Sequence, residues 1–506
     1  MNPSAGLTRE PARSRWWPLI AICLGTFILL VDVTIVSVAL PPMARDLHTQ
    51  LDSLQWVVDA YALALAALLL VCGSLADRFG RRRLFQLGLA LFALSSLACA
   101  LAPNAGFLIA ARTVQGAGAA AMFATNTALL NHCYDGRDRS VAFGIWGAVN
   151  GAAAAVAPVL GGLLIAAAGW RAIFLVNLPI AVVAGIMTQR VVAESRGHTS
   201  PIDWAGAASF TVSAAALTYA LIHGGDQGWG TPVTLASFAV AVAAMGAFVV
   251  TELRVAHPLL DLSLFRRASF STLMAVGVLL TACAFAPFVY TQLWLQSVLG
   301  LPAIEAGLVL LPLAGTAFVV AAVAGRFLHG MAARWPLGAG MVLIGAGSLL
   351  RTFLTASSGW VSLMAGLVVT GIGVGLASPV LVSAALAAVP RPRSGMASGA
   401  INTFRQVGYA LGIAAFGSVF ASHVTGAVMA SPGQHLVRAA YATAQNDIYL
   451  LAGLAAVACG LVAMALIRPN QPDRAPARAS AAAPAGLEPA APRAPGMSEV
   501  APNVKS

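Results

Sequence analysis

The chain alternates long apolar runs with short polar stretches rich in glycine, proline and arginine. A run of about 20 mostly apolar residues is what an α-helix needs to cross the roughly 30 Å hydrocarbon core of a bilayer. Only helices and closed barrels satisfy their own backbone hydrogen bonds there. Breaking the runs at proline, glycine and charge clusters predicts fourteen spans. The first six cover roughly 17–40, 54–76, 84–102, 106–130, 140–167 and 172–192. A pair follows at 204–222 and 233–253, then six more at 269–295, 304–325, 337–356, 360–388, 396–422 and 448–467.

The pattern therefore predicts an all-α membrane protein of fourteen transmembrane helices, in which two six-helix bundles flank a central inserted helix pair. Its expected parts are a cytoplasmic N-terminal segment 1–16, a first bundle 17–200, the inserted helices 7 and 8 at 201–256, a second bundle 257–468 and a tail 469–506. The tail is rich in proline and alanine and lacks apolar periodicity, so it is expected to be disordered and cytoplasmic.

Composition strengthens this reading. Of 506 residues 59% are hydrophobic and 9% charged, against about 25% charged in an ordinary soluble domain. The formal net charge of +11 could suggest nucleic acid, but the bases sit in short clusters between apolar runs and not on one polar face, so membrane topology explains them better. With the N-terminus placed inside, 23 of the 29 basic residues fall in cytoplasmic segments, as the positive-inside rule requires. Arg45, Arg171, Arg351 and Arg438 fall outside, and Arg112 and Arg405 fall within spans. Both termini are thus expected in the cytoplasm.

Arg9, Arg13 and Arg15 precede an apolar stretch as in a signal peptide, yet 18–40 is too long for a cleaved h-region and reads as a retained helix. The connector from His257 to Arg267 mixes apolar and basic residues; it suits the inner membrane interface or is a plain linker. Six scattered cysteines without a C-x-x-C pair argue against a disulfide framework or a metal site. Arginine in place of lysine and abundant alanine suggest a GC-rich bacterial genome, and hence the bacterial inner membrane.

Ionisable groups within apolar spans are costly, so each is a functional candidate. Asp32 lies about 13 Å below the outer end of span 1 and Arg112 about 10 Å below the outer start of span 4, at 1.5 Å per residue. Matching depths predict a pair. It either gains and loses a proton during work or permanently holds spans 1 and 4 together. Asp59, about one turn below the outer interface of span 2, is a second proton site or a wet helix-end residue. Arg405, about 15 Å inside span 13, attracts an anionic group or a partner across the bundle, or else bonds backbone carbonyls or snorkels. Gln115, Asn126, Asn150, Gln292 and Asn402 join Arg405 as candidates for lining a wet central cavity.

The loop after span 2 reads Gly73-Ser74-Leu75-Ala76-Asp77-Arg78-Phe79-Gly80-Arg81-Arg82-Arg83. Its glycines allow close approach and a positive-φ turn, and Asp77 is placed to pair with an arginine or cap a helix end. Span 5 carries Gly144, Gly147, Gly151, Pro158, Gly161 and Gly162. Small residues let helices pack closely, and a proline that removes a backbone hydrogen bond allows a bend.

Together these segments resemble the major facilitator superfamily, specifically its fourteen-helix drug/proton antiporter branch of the QacA and EmrB type, from about Trp17 to Arg468. The Gly73–Arg83 loop is similar to the superfamily's gating loop, with Asp77, Arg78 and Arg81 in its latch. Leu30-Val31-Asp32-Val33-Thr34 with Ala39-Leu40-Pro41, and Arg112-Thr113-Val114-Gln115-Gly116, resemble the branch's helix 1 and helix 4 signatures, which implies a role in proton handling. The helix 5 stretch resembles the antiporter motif, with Ala157 where glycine is usual. Gly169-Trp170-Arg171 to Asn177-Leu178-Pro179 and Asp203-Trp204-Ala205-Gly206 also resemble this branch. Asp59 departs from the pattern, and the second bundle lacks the membrane acid some relatives use for dications.

The expected function is export of small amphipathic compounds, multidrug or antibiotic and metabolite, by proton antiport and alternating access. No cofactor beyond the proton gradient is expected, and the chain is expected to act as a monomer with small substrates, protons and lipid as its partners. A proton-coupled uptake symporter keeps the same fold, but the helix 5 pattern argues against it. A membrane enzyme or receptor needs catalytic groups or a sensing domain; no H-E-x-x-H occurs and the sole lysine, Lys505, excludes a Walker motif.

Overall fold

A computed structural model of the chain describes residues 14–49, 51–197, 201, 203–328, 330–430 and 434–467. The expected tail 469–506 and most of the segment 1–16 lie outside the described residues. Among the described residues sixteen α-helices carry the fold. The first half holds α1 (Trp17–Asp46), α2 (Leu51–Phe79), α3 (Arg81–Ala100), α4 (Ala105–Cys133), α5 (Gly136–Ala168), α6 (Ala172–Leu175) and α7 (Asn177–Val191). An inserted hairpin follows, α8 (Trp204–Gln227) and α9 (Pro232–Arg254). The second half holds α10 (Ala268–Ala284), α11 (Pro287–Leu293), α12 (Ala303–Phe327), α13 (Arg334–Leu349), α14 (Met364–Ala387), α15 (Ser394–Ala430) and α16 (Gln434–Leu466).

Helix boundaries follow local chemistry. The Asn104 side chain accepts from Phe107 N at 2.9 Å to start α4, and Asp203 accepts from Gly206 N at 2.8 Å to start α8; each satisfies an amide that a helix start leaves open. Gly80, at φ 113°, turns the chain between α2 and α3, and Gly169, at φ 78°, ends α5, conformations that favour glycine. Pro287 lacks an amide hydrogen, and the span that begins with α10 breaks in front of it.

Among the described residues twelve helical segments are long and apolar enough to cross a membrane. The fourteen predicted from the runs are not all among them. At 16 residues, α13 extends only about 24 Å at 1.5 Å per residue, because the chain leaves the helix in a turn after Leu349. In α5 only the stretch Val159–Ala168 is counted, as a shorter apolar helix.

The two halves meet along two seams, α5 against α12 and α2 against α15, while α8 lies against both α2 and α15. Large apolar side chains such as Leu94, Leu163, Val242 and Leu253 stay exposed, which suits a surface solvated by lipid. Buried small residues hold the helices close: a Cβ on Gly118 would meet Phe92 N at 2.8 Å and one on Gly460 the Gly338 carbonyl at 2.7 Å. The end of the molecule carrying the 2–3 loop and Arg391–Arg393 is called the basic face below.

Candidate functional site

Asp32 and Arg112 meet. Arg112 Nη1 donates to Asp32 Oδ2 at 2.5 Å, and both side chains have 0% exposure. A buried ion pair is costly unless its remaining hydrogen-bonding capacity is met, and here α2, α4 and α7 meet most of it. Gln115 and Asn177 donate to Asp32 Oδ1 at 3.1 and 2.9 Å, and both also reach Ser96 Oγ. Arg112 Nη1 donates to Gln115 Oε1 at 2.7 Å and Nε to the Val57 carbonyl at 2.9 Å. The guanidinium lies 4.2 Å from the centre of the Tyr61 ring, a favourable cation–π placement. Arg112 Nη2 and the Tyr61 hydroxyl are buried without a protein partner.

Sequence reasoning paired Asp32 with Arg112 by depth but missed Ser96 and Tyr61. A lone serine or tyrosine in an apolar run carries no signal of what it faces. Asn177 was visible only as part of a family-like stretch. Asp59 is half-buried on α2, two residues beyond Val57, and does not contribute to the hydrogen bonds around Asp32 described above.

The loop after α2 ties the halves together at the basic face. Asp77 accepts from Gly395 N and Met396 N, both at 2.9 Å, and so caps the start of α15 in the other half. A carboxylate there also meets the positive end of the helix dipole. Arg81 donates to Asp77 from Nε at 3.0 Å and Nη2 at 2.7 Å, and from Nη2 to the Arg391 carbonyl at 3.0 Å. A Cβ on Gly73 would collide with the Gly395 carbonyl. Arg391 pairs with Asp135, and Arg393 with Asp261 at 2.6 Å.

The segment after α7 braces the start of α3 in a way the sequence did not announce. Glu194 accepts from Arg82 N and Arg83 N at 3.1 and 3.2 Å at the start of α3, and packs on Gly80. Arg78, half-buried, lines a crevice of about 100 Å³ with Asp203, His257 and Asp261. Asp261 lies outside the spans. Burial raises its pKa, but hydrogen bonds from Ser263 and Arg393 outweigh that and hold the carboxyl below its usual range.

The glycines of α5 serve two neighbours. A Cβ on Gly161 would meet Ile35 of α1 at 2.7 Å; on Gly162, Ile304 of α12 at 2.9 Å; on Gly151, the Ala314 carbonyl of α12 at 3.1 Å. The helix runs on through Pro158, whose side chain lies outside the described residues.

The cavity candidates divide. Gln115 is sealed in the charge cluster, and Asn126 is sealed in the first half, donating to Thr26 Oγ1 at 3.2 Å, so neither lines a cavity. Asn150 donates to the Trp146 carbonyl at 2.6 Å. Gln292 accepts from Gln296 at 3.2 Å near the end opposite the basic face. Asn402 bridges the halves: its amide reaches the Phe123 carbonyl of α4 at 3.4 Å and Ser398 O at 3.0 Å. One turn nearer the basic face, Ser398 is hydrogen-bonded to Thr127. Arg405 follows on the same stripe, half-buried, its Nε without a partner.

Along α1, the stripe Phe27, Leu30, Thr34, Ser37 and Pro41 passes from half-buried to exposed with distance from the basic face. Two helical halves, tied to each other at the basic face through Asp77, Arg81 and Asn402, with twelve candidate spans among the described residues, make a multi-pass membrane fold. The sequence model of the Major Facilitator Superfamily matches residues 22–413, with a second match over 331–500, and the chain belongs to that family. It is a transporter and not an enzyme.

The chain is 36% identical over 429 residues to the multidrug resistance protein Stp of Mycobacterium tuberculosis (strain CDC 1551 / Oshkosh), covering 84% of this chain and 79% of that one. It is 36% identical to a methylenomycin A resistance protein of Streptomyces coelicolor (79% and 85% covered) and 33% identical to the tetracenomycin C resistance and export protein of Streptomyces glaucescens (83% and 79%). Its fold is similar to that of the human organic anion transporter MFSD10, with TM-score 0.61 at 16% identity over 88% of this chain and 100% of that one. It is likewise similar to the proton:xylose symporter XylE, with TM-score 0.61 at 13% identity over 91% and 97%.

Proposed function

We propose that this transporter exports small amphipathic molecules in exchange for protons, as a multidrug or antibiotic efflux antiporter of the fourteen-span QacA and EmrB type. The observation that carries the reading is the sealed Asp32–Arg112 pair, shared by α1 and by α4, which packs on α15 of the other half. Protonation of Asp32 releases Arg112, Gln115 and Asn177 from a common anion, which gives the first half two discrete arrangements. Coupling those arrangements to which end of the chamber is open yields alternating access. The names of the relatives support resistance and export as the physiological role.

In this reading α5 and α13 add two crossings to the twelve, the basic face and both termini are cytoplasmic, and the membrane is the bacterial inner membrane. The protein works as a monomer, without cofactor, on the proton gradient alone. One proton crossing 100 mV supplies about 2.3 kcal/mol. The test is a drug-susceptibility panel in a pump-deficient host carrying wild type or Asp32→Asn. The variant is expected to be expressed and inserted normally yet to give no resistance; resistance equal to wild type would remove Asp32 from the mechanism.

A further inference from the structure

Arg405 is a cation at mid-depth with no counter-charge. Among the described residues its guanidinium makes no hydrogen bond or ion pair, and Nε is buried without a partner. The other mid-span charges behave differently: Arg112 spends its charge on Asp32, and Asp32 is sealed.

Its position on α15 is well defined. Ser398, Asn402 and Arg405 follow at intervals of four and three, so they share one helix face. Ser398 and Asn402 close that face against Thr127 and Phe123 of α4. Arg405 therefore stands about 4.5 Å further from the basic face than Asn402, just beyond this closure. Its stem is fixed: Cγ lies 3.6 Å from where a Cβ on Gly277 would be, and Thr281 Oγ1 donates to the Arg405 carbonyl at 2.6 Å. A mid-depth guanidinium beside the seam between the halves, with a buried donor unspent and no ion-pair partner among the described residues, has the chemistry of an anion-recognition group.

We propose that Arg405 is the specificity residue of the chamber and that the exported compounds are amphipathic monoanions, carboxylates or acidic phenols carried on an apolar body, not lipophilic cations. This rests on the efflux reading and adds a substrate class to it. It also changes the energetics. An anion leaving and a proton entering move charge in the same sense, so both draw on the membrane potential, whereas a monocation leaving against one proton is electrically silent.

The test uses two probes with one ring system and opposite charge, 1-pyrenecarboxylate and 1-pyrenemethylammonium. Binding is read on the purified full chain from the shift in unfolding midpoint with probe concentration, and transport is read in inverted membrane vesicles with and without an imposed potential. Wild type is expected to bind and carry the carboxylate, with a rate that rises with potential. Arg405→Gln is expected to raise the half-effective carboxylate concentration tenfold or more and leave the response to the ammonium probe unchanged, and Arg405→Lys is expected to fall between the two. Preference of wild type for the ammonium probe, or carboxylate binding by Arg405→Gln equal to wild type, overturns the proposal. Vesicles that move neither probe, while the carboxylate still binds through Arg405, count against the efflux reading and not against this one. Transport of the ammonium probe alone, abolished by Asp32→Asn, sustains the efflux reading and sinks this one.

Discussion

Gln115 holds both members of the buried charge pair at once: its amide donates to Asp32 Oδ1 at 3.1 Å while its own carbonyl receives Arg112 Nη1 at 2.7 Å. One neutral side chain thus sets the distance between two charges on different helices. Hydrogen bonds to charged groups contribute about 1.5–3 kcal/mol each. Gln115→Ala is therefore expected to keep the fold and lower proton-driven transport tenfold or more, measured as initial rate against pH in inverted vesicles. An unchanged rate and profile would show that the pair needs no such clamp.

Asp77 caps a helix that belongs to the opposite half. Asp77→Ala leaves two amides of α15 and the Arg81 guanidinium without their acceptor, a loss typical of N-cap removal at about 1 kcal/mol before the charge is counted. Closure at the basic face is expected to weaken. With the native cysteines replaced, Asn402→Cys is expected to react with a membrane-impermeant maleimide from the basic face several-fold faster in the Asp77→Ala background than with Asp77 intact. Equal labelling would deny the latch.

Gly73 faces the Gly395 carbonyl with no room for a side chain. Overpacking costs about 1–3 kcal/mol where the backbone cannot give way. Gly73→Val is expected to hold α2 away from α15, so that transport is lost while membrane insertion persists; wild-type transport by the variant would place the two helices apart during the cycle.

The Asp261–Arg393 pair lies at the basic face, outside the spans. The Asp261 carboxyl is depressed despite burial, because Ser263 and Arg393 bond its ionised form. A group depressed on folding stabilises above its unfolded pKa, about 3.9, and loses that contribution as pH falls through the folded value. The unfolding midpoint of Asp261→Asn is expected to lie below wild type by a constant amount above about pH 5 and to converge on it below about pH 4. A difference independent of pH would assign the effect to packing.

How much of this was legible beforehand depended on whether a residue's partner lay along the chain or across it. Spans follow from apolar run length, and matching depths on neighbouring helices sufficed to bring Asp32 and Arg112 together. Polarity alone told that Gln115 and Asn126 are buried among helices, but not that each bonds inside the first half instead of lining the chamber. Arg351 shows the same limit. The pattern counts it on the outer side, near the end of span 337–356; the structure buries it against the Tyr449 ring at 4.3 Å, with Nη1 unpartnered, because the turn after α13 folds inward. The same turn shortens α13, which is why it is not among the twelve helices long and apolar enough to cross a membrane.

The placement of α8 sets a constraint on any motion between the halves. Thr211 of α8 reaches the Ala67 carbonyl of α2 at 3.4 Å and the Tyr219 ring lies tilted against Trp56 with centroids 5.7 Å apart, while the same helix also touches α15. A rod wedged between two bodies that turn against each other must slip on one of them. If the halves rock as proposed, the aromatic contact on the α2 side is expected to carry the inserted hairpin with the first half like a fin, leaving α15 as the surface over which it slides.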